Sequence, residues 1–165
     1  MHKQNFAEAV DEILRKDSRY DRDSYYFVRE GLDFTLKMLK KSAHAQQAHR
    51  HVSGQELLEG LRRYALDEFG PMAKTVLDHW GVRKCADFGE IVFNLVEKGV
   101  LGKTEQDRLE DFKSGYDFDE AFVKPYRPTP RPRHRQGHVR SSTHAEPARE
   151  KARSSGSAKL NSGSN

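Results

Sequence analysis

The chain has a single cysteine, Cys85, among its 165 residues. One thiol closes no intramolecular disulfide, and a reducing compartment is its simplest setting. Long hydrophobic runs are also missing: 35% of the residues are hydrophobic and 33% charged, and no apolar stretch approaches the roughly 18 residues a membrane-spanning helix needs. The opening MHKQNFAEAVDEILRKD interleaves acids with bases and holds no apolar segment of the kind a secretory leader carries. These absences predict a cytoplasmic protein with neither membrane anchor nor disulfide framework.

What charge there is divides unevenly. Residues 1–124 carry 20 Lys+Arg against 23 Asp+Glu, a net −3, and 51 of the 58 hydrophobic residues. Residues 125–165 carry 9 Lys+Arg against 2 Asp+Glu, a net +7, and only 7 hydrophobic residues. The front is large and apolar enough to bury one core, whereas the tail is too polar to offset its chain entropy. Two regions follow: a helical domain over 1–124, and a disordered tail over 125–165 that is first Pro/Arg-rich and then Ser/Gly-rich.

Apolar residues in the front recur at helical spacing. Phe6, Val10, Ile13 and Leu14 predict a helix over 4–16, and Asp17 to Asp23 break it. From Ser24, the stripe Tyr25, Val28, Leu32, Leu36 and Leu39, widened by Phe27, Phe34 and Met38, predicts a central, well-buried helix. Ser53-Gly54-Gln55-Glu56 is a capping box opening a helix to Phe69. Gly70 suits its C-terminal cap, and Pro71 the first turn of a helix with Met72, Val76, Leu77 and Trp80, ended by Gly81. Asp87-Phe88-Gly89-Glu90 repeats the capping logic before a helix closed by Gly99, and Thr104 and Asp107 start a last short one. Phe112, Tyr116, Phe118 and Phe122 form an aromatic strap expected to close the core. The fold class expected is all-α, a small domain of about five to six helices with a disordered basic tail, in which the helices after Ser53 leave room for a winged-helix-like order.

The stretches HVSGQELLEG, EFGPMAKTVLDHWG, DFGEIVFNLVEKGVL and YDFDEAF resemble an uncharacterised family of short bacterial proteins, over about Asn5 to Val123. The resemblance implies one folded unit in a bacterial cytoplasm. It brings no activity, cofactor or catalytic residue with it, and the tail lies outside it.

Several motifs touch on chemistry. Gly99-Val100-Leu101-Gly102-Lys103-Thr104 echoes the end of a phosphate-binding loop, but two residues instead of four separate its glycines and a helix rather than a strand precedes it. The spacing therefore fails, and a glycine stop followed by a threonine cap is the favoured reading. His44, His49 and His51 are candidate metal ligands; imidazoles this close suit Zn²⁺, Ni²⁺ or Cu²⁺, although five residues on a helix turn His44 away from His49. His79 beside Trp80 reads as a half-buried packing residue. Cys85 follows Arg83 and Lys84, which favour a thiolate, and precedes Asp87, which opposes it; an incidental thiol is the simpler reading. Ser53 lacks the first glycine of a nucleophile elbow and already serves as a cap. Asp117, Asp119 and Glu120 are expected to be exposed.

The tail carries the clearest functional signal. Arg127, Arg131, Arg133, Arg135 and Arg140 on a proline-stiffened chain can neutralise phosphates, with Tyr126 as a stacking surface. Arg131-Pro132-Arg133 could enter a narrow minor groove, though without the Gly-Arg-Pro core of hook motifs. Anionic lipid is a weaker partner, because no apolar anchor accompanies the charge. The resulting expectation is a non-enzymatic accessory protein without cofactor, whose helical domain docks a protein or ribonucleoprotein partner while the tail adds nonspecific RNA or DNA affinity. One alternative is a winged-helix-like DNA-binding regulator, in which helices from Ser53, Pro71 and Asp87 precede EKGVLGKTEQDRLEDF as recognition helix and wing; Glu90, Asn94, Glu97 and Lys98 on the outward face of the third helix, and a wing in which Lys103 and Arg108 face Glu105, Asp107, Glu110 and Asp111, make it poorly suited to phosphate. A further alternative is a small metal-binding protein using the histidine group.

Overall fold

In the computed structural model, which describes residues 5–42 and 51–130, Asn5 opens the first helix. Its side chain accepts the Ala7 N–H, and Glu8 returns a carboxylate oxygen to the Asn5 N–H, both at 3.4 Å. Helix α1 (Phe6–Lys16) buries Ala9, Val10 and Ile13. Chain contacts divide the molecule into Met1–Thr129 and Pro130–Asn165, and every element below belongs to the first unit.

The remaining helices are α2 (Arg22–Ser42), α3 (Gly54–Phe69), α4 (Ala73–His79), α5 (Cys85–Glu97) and α6 (Phe118–Phe122), with 3-10 turns at Gly70–Met72, Leu109–Phe112 and Lys124–Tyr126. Among the described residues there is no strand. The architecture is all-α, as the helical spacing of the apolar residues requires.

Helices α2 and α3 approach closely because each offers a glycine to the other. Gly31 faces Leu61, and Gly60 faces Thr35 so tightly that a β-carbon there would fall on the Thr35 hydroxyl. Thr35 is fully buried, and its Oγ1 donates to the Gly31 carbonyl at 2.6 Å, which satisfies the hydroxyl inside its own helix. Around this crossing lie Tyr25, Val28, Leu58, Leu61, Phe88, Ile91 and Leu95, all under 2% exposed. Phe27 is the aromatic hub, with the rings of Tyr64, Trp80, Phe69 and Phe88 centred 5.2, 5.5, 5.9 and 6.3 Å away. The expected strap closes the core: Phe112, Phe118 and Phe122 are buried, and Tyr116 donates its hydroxyl to the Leu58 carbonyl at 3.0 Å.

Four local expectations are corrected. Helix α5 begins two residues before Asp87, which therefore sits at the third helical position. Its Oδ2 accepts the N–H groups of Arg83 and Lys84 at 2.9 and 3.1 Å, and Oδ1 accepts the Tyr20 hydroxyl at 2.9 Å. Helix α4 starts after the Pro71 turn, leaving Met72 55% exposed and His79 exposed rather than half-buried. Asp117, exposed as expected, caps a helix the sequence reading missed, accepting the N–H groups of Asp119 and Glu120 at 2.9 and 3.0 Å. Finally, α2 is less buried than expected toward its end: apart from Thr35, its second half holds Leu32, Leu36 and Leu39 only half-buried.

The stretch 97–112, read as recognition helix and wing, holds among the described residues no strand that could form a wing. Of the residues expected to point outward here, Glu97 is exposed, whereas Glu90, Asn94 and Lys98 are partly buried. Lys98 binds Glu12 of α1 at 2.6 Å, Asn94 donates to the Tyr25 hydroxyl at 3.3 Å, and Glu90 lies 3.6 Å from Arg19.

Candidate functional site

The half-buried end of α2 marks the site. Leu32 and Leu36 of α2, Val52 and Leu57 at the start of α3, Val92, Phe93 and Val96 of α5, and Leu101 and Phe112 beyond it enclose an apolar cavity of about 190 Å³. Its rim is polar: His51, Lys103 and Asp107. A second, larger depression of about 870 Å³ adjoins it, sharing His51, Gly54 and Asp107, and is lined by Ser53, Gln55, Glu56, Thr104, Glu105, Gln106 and Asp111.

Helix α5 positions one wall through its ending. Gly99 takes φ +69, a left-handed conformation that suits glycine, and the N–H groups of Gly99 and Val100 turn back to the carbonyls of Val96 and Leu95 at 2.9 and 3.1 Å. That turn directs Leu101 into the cavity wall. Lys103 follows, its Nζ lying 5.3 Å from the centre of the Phe93 ring.

Asp107 organises the rim. Its Oδ2 accepts the Thr104 N–H at 2.7 Å, the Thr104 hydroxyl at 3.1 Å and His51 Nε2 at 2.6 Å. Partial burial pushes its pKa upward, but the two Thr104 hydrogen bonds and the His51 charge outweigh this and hold the carboxyl below its ordinary value. The His51–Asp107 pair fastens the start of α3 to the loop after α5. It does not activate a neighbour: the Ser53 hydroxyl goes to Glu56 Oε2 at 3.1 Å and accepts the Glu56 N–H at 3.2 Å, as its capping role demands.

The sequence-selected residues fall as follows. Of the histidine group, His51 is paired with Asp107, while His44 and His49 lie outside the described residues. Among the described residues no group of three His, Cys, Asp or Glu side chains is placed to hold a metal. The phosphate-loop echo resolves into the glycine stop and threonine turn described above; the Thr104 hydroxyl is engaged by Asp107. Cys85 is buried and donates to the Tyr116 carbonyl at 3.3 Å, and burial pushes the thiol pKa up. Arg127 is exposed just after the Lys124–Tyr126 turn, and Tyr126 within that turn is 44% exposed. Arg131, Arg133, Arg135 and Arg140 lie outside the described residues. Among the described residues no helix is long and apolar enough to cross a membrane.

Sequence reading missed the cavity and the His51–Asp107 pair. The available signal was the excess of apolar positions at the end of α2 and on α5, whose stripes carry more large side chains than one neighbour covers.

No protein-family model, curated protein or solved structure matches the chain.

Proposed function

We propose that this chain is a non-enzymatic accessory protein, whose helical domain docks a protein or ribonucleoprotein partner and whose basic tail adds sequence-independent affinity for RNA or DNA. The observation that carries the reading is the junction at Lys124–Tyr126. There a net −3 helical domain gives way to a net +7 tail, at a 3-10 turn that presents Tyr126, one of two exposed large hydrophobic residues among the described residues, directly before exposed Arg127. An exposed ring beside arginines suits an unpaired base stacked over a neutralised backbone. The resemblance to short bacterial proteins, the lone thiol and the absence of a spanning helix among the described residues support a cytoplasmic setting.

The test is nucleic-acid binding by the full chain and by a variant with Arg127, Arg131, Arg133, Arg135 and Arg140 all changed to Gln, at about 50 mM and about 200 mM salt. Native protein should bind mixed single-stranded RNA and DNA with a steep salt dependence. Five phosphate contacts correspond to a log–log slope of about −3.5, which the variant should lose. Equal binding by the two proteins, or no binding by native protein at the lower salt, refutes the tail's role. Replacing Tyr126 with Ala should weaken single-strand binding by roughly tenfold while leaving the salt slope intact, because stacking neutralises no phosphate.

A further inference from the structure

The apolar cavity and the polar groove beside it meet at His51, Gly54 and Asp107, and their chemistry differs in a way that specifies an occupant. A cavity of about 190 Å³ matches one bulky side chain, since an apolar cavity of about 150 Å³ accepts a benzene ring. The groove, at about 870 Å³, is far larger than one side chain requires and suits a length of extended backbone. Its titratable lining is Glu56, Glu105, Asp107 and Asp111 against His51 alone. Lys103, the cation on the cavity wall, lies over the Phe93 ring. The segment joining α2 to α3, AHAQQAHR over residues 43–50, has no apolar side chain larger than alanine, so by composition it does not supply the anchor.

Resting on the partner-docking half of the reading above, we propose that this composite site binds a basic peptide segment of a partner protein. One bulky apolar side chain enters the cavity between α2, α3 and α5, and flanking Lys or Arg side chains lie along Glu105, Asp107 and Asp111. The cavity supplies affinity by taking the anchor out of water, and the acidic groove selects the sign of its neighbours. Glu105 is exposed at the groove, and the Thr104 hydrogen bonds and His51 hold the Asp107 carboxyl below its ordinary value.

The probe is a fluorescently labelled hexapeptide with one leucine flanked by lysines and serines, compared with a leucine-to-alanine twin and a lysine-to-glutamate twin. Binding is followed by anisotropy on the full chain and on the five-Arg→Gln tail variant. The leucine peptide should bind saturably, the alanine twin at least about tenfold more weakly, consistent with burial of one large aliphatic side chain, and the glutamate twin not at all. Glu105→Lys combined with Gln106→Lys, both at exposed positions, should weaken the leucine peptide severalfold with an unchanged melting temperature. Val96→Phe, which fills the cavity, should abolish the difference between the leucine and alanine peptides.

Equal affinity for those twins on native protein, or binding of the glutamate twin, overturns the proposal. So does benzene binding without peptide binding, which would make the site a small-molecule cavity. Tighter peptide binding by the tail variant than by native protein would identify the chain's own tail as a competing basic segment and support the chemistry assigned to the groove. The nucleic-acid assay on the same samples reads the tail separately, so failure of the peptide leaves that result standing, and loss of nucleic-acid binding leaves peptide affinity in place.

Discussion

Replacing Gly60 with Ala sets two well-defined effects against each other. Alanine is the better helix former by about 1 kcal/mol at an interior position, and α3 runs through Gly60 without a break. On local preference alone the variant gains stability. The crossing with α2 reverses the sign. The new β-carbon would land on Thr35 Oγ1 and lie 2.7 Å from the Thr35 Cβ, and Thr35 is 0% exposed, with its hydroxyl tied to the Gly31 carbonyl. The helices cannot slide to make room, because Gly31 meets Leu61 at the same crossing. Overpacking of this kind costs about 1–3 kcal/mol; with backbone on one side and a locked side chain on the other, the upper end applies, and the net loss is about 2 kcal/mol. That corresponds to a fall in melting temperature of roughly 8 °C for a domain of this size. Urea titration followed by circular dichroism should show a lower midpoint with an unchanged slope. Thr35→Ala in the same chain should recover part of the loss, but not all, since its own β-carbon remains. Gly102→Ala, where a β-carbon meets nothing within 4 Å, should be neutral. A Gly60→Ala variant as stable as native protein would refute the close approach of α2 and α3.

Tyr20→Phe removes the 2.9 Å hydrogen bond to Asp87 and should cost about 1 kcal/mol, read as a shift in urea midpoint. Cys85, buried with its thiol pKa raised by desolvation, should react with a thiol-specific reagent only on unfolding; stoichiometric labelling of native protein within the mixing time would contradict that burial. Hydrogen bonds from Arg62 and Arg63 hold the Glu59 carboxyl down to about 2, from an ordinary 4.5, against partial burial. A depressed carboxyl stabilises the fold above its unfolded pKa, and that contribution disappears as pH falls from about 4.5 toward 2. Because these side chains remain 29% to 53% exposed, the interaction's worth is at most about 1 kcal/mol. Glu59→Gln should therefore narrow the gap between urea midpoints at about pH 6 and about pH 2.5.

How far the sequence predicts the fold depends on the range of the interactions that decide each element. The start of α3 was legible to the residue because Ser53 and Glu56 satisfy each other's backbone three positions apart. The start of α5 was not, because Asp87 serves the N–H groups before it and a tyrosine 67 positions away, whereas the sequence reading paired it with Glu90. The same limit applies to α6: a carboxylate cap at Asp117 is visible, but five residues carry too little periodicity to declare a helix. Small residues at a crossing are less legible still. Gly31, Thr35 and Gly60 break an apolar stripe on paper, yet they set how closely α2 and α3 approach.

The candidate site shows where hydrophobic patterning stops being informative. Leu32 and Leu36 continue the stripe of Tyr25 and Val28 at the same spacing, and Val96 continues that of Val92. Periodicity assigns all of them to a covered face, and it has no means of saying what covers it. In the fold, α2 is covered by α3, α5 and the aromatic hub from Tyr25 to Val28 and again at Thr35, while Leu32 and Leu36 on its other side lean over a cavity. The divergence arises beyond α5, where Gly99 ends the helix and a turn built on Thr104 and Asp107 stands where a further helix would have filled the space. His51 reaches across to that turn and pairs with Asp107 at the cavity's mouth. An apolar stripe longer than the surface its neighbours can cover, ending beside an acidic loop, is therefore the sequence pattern that underlies the proposed docking site. The Leu36 and Val96 positions, rather than any of the histidines, are where that reading should first be tested.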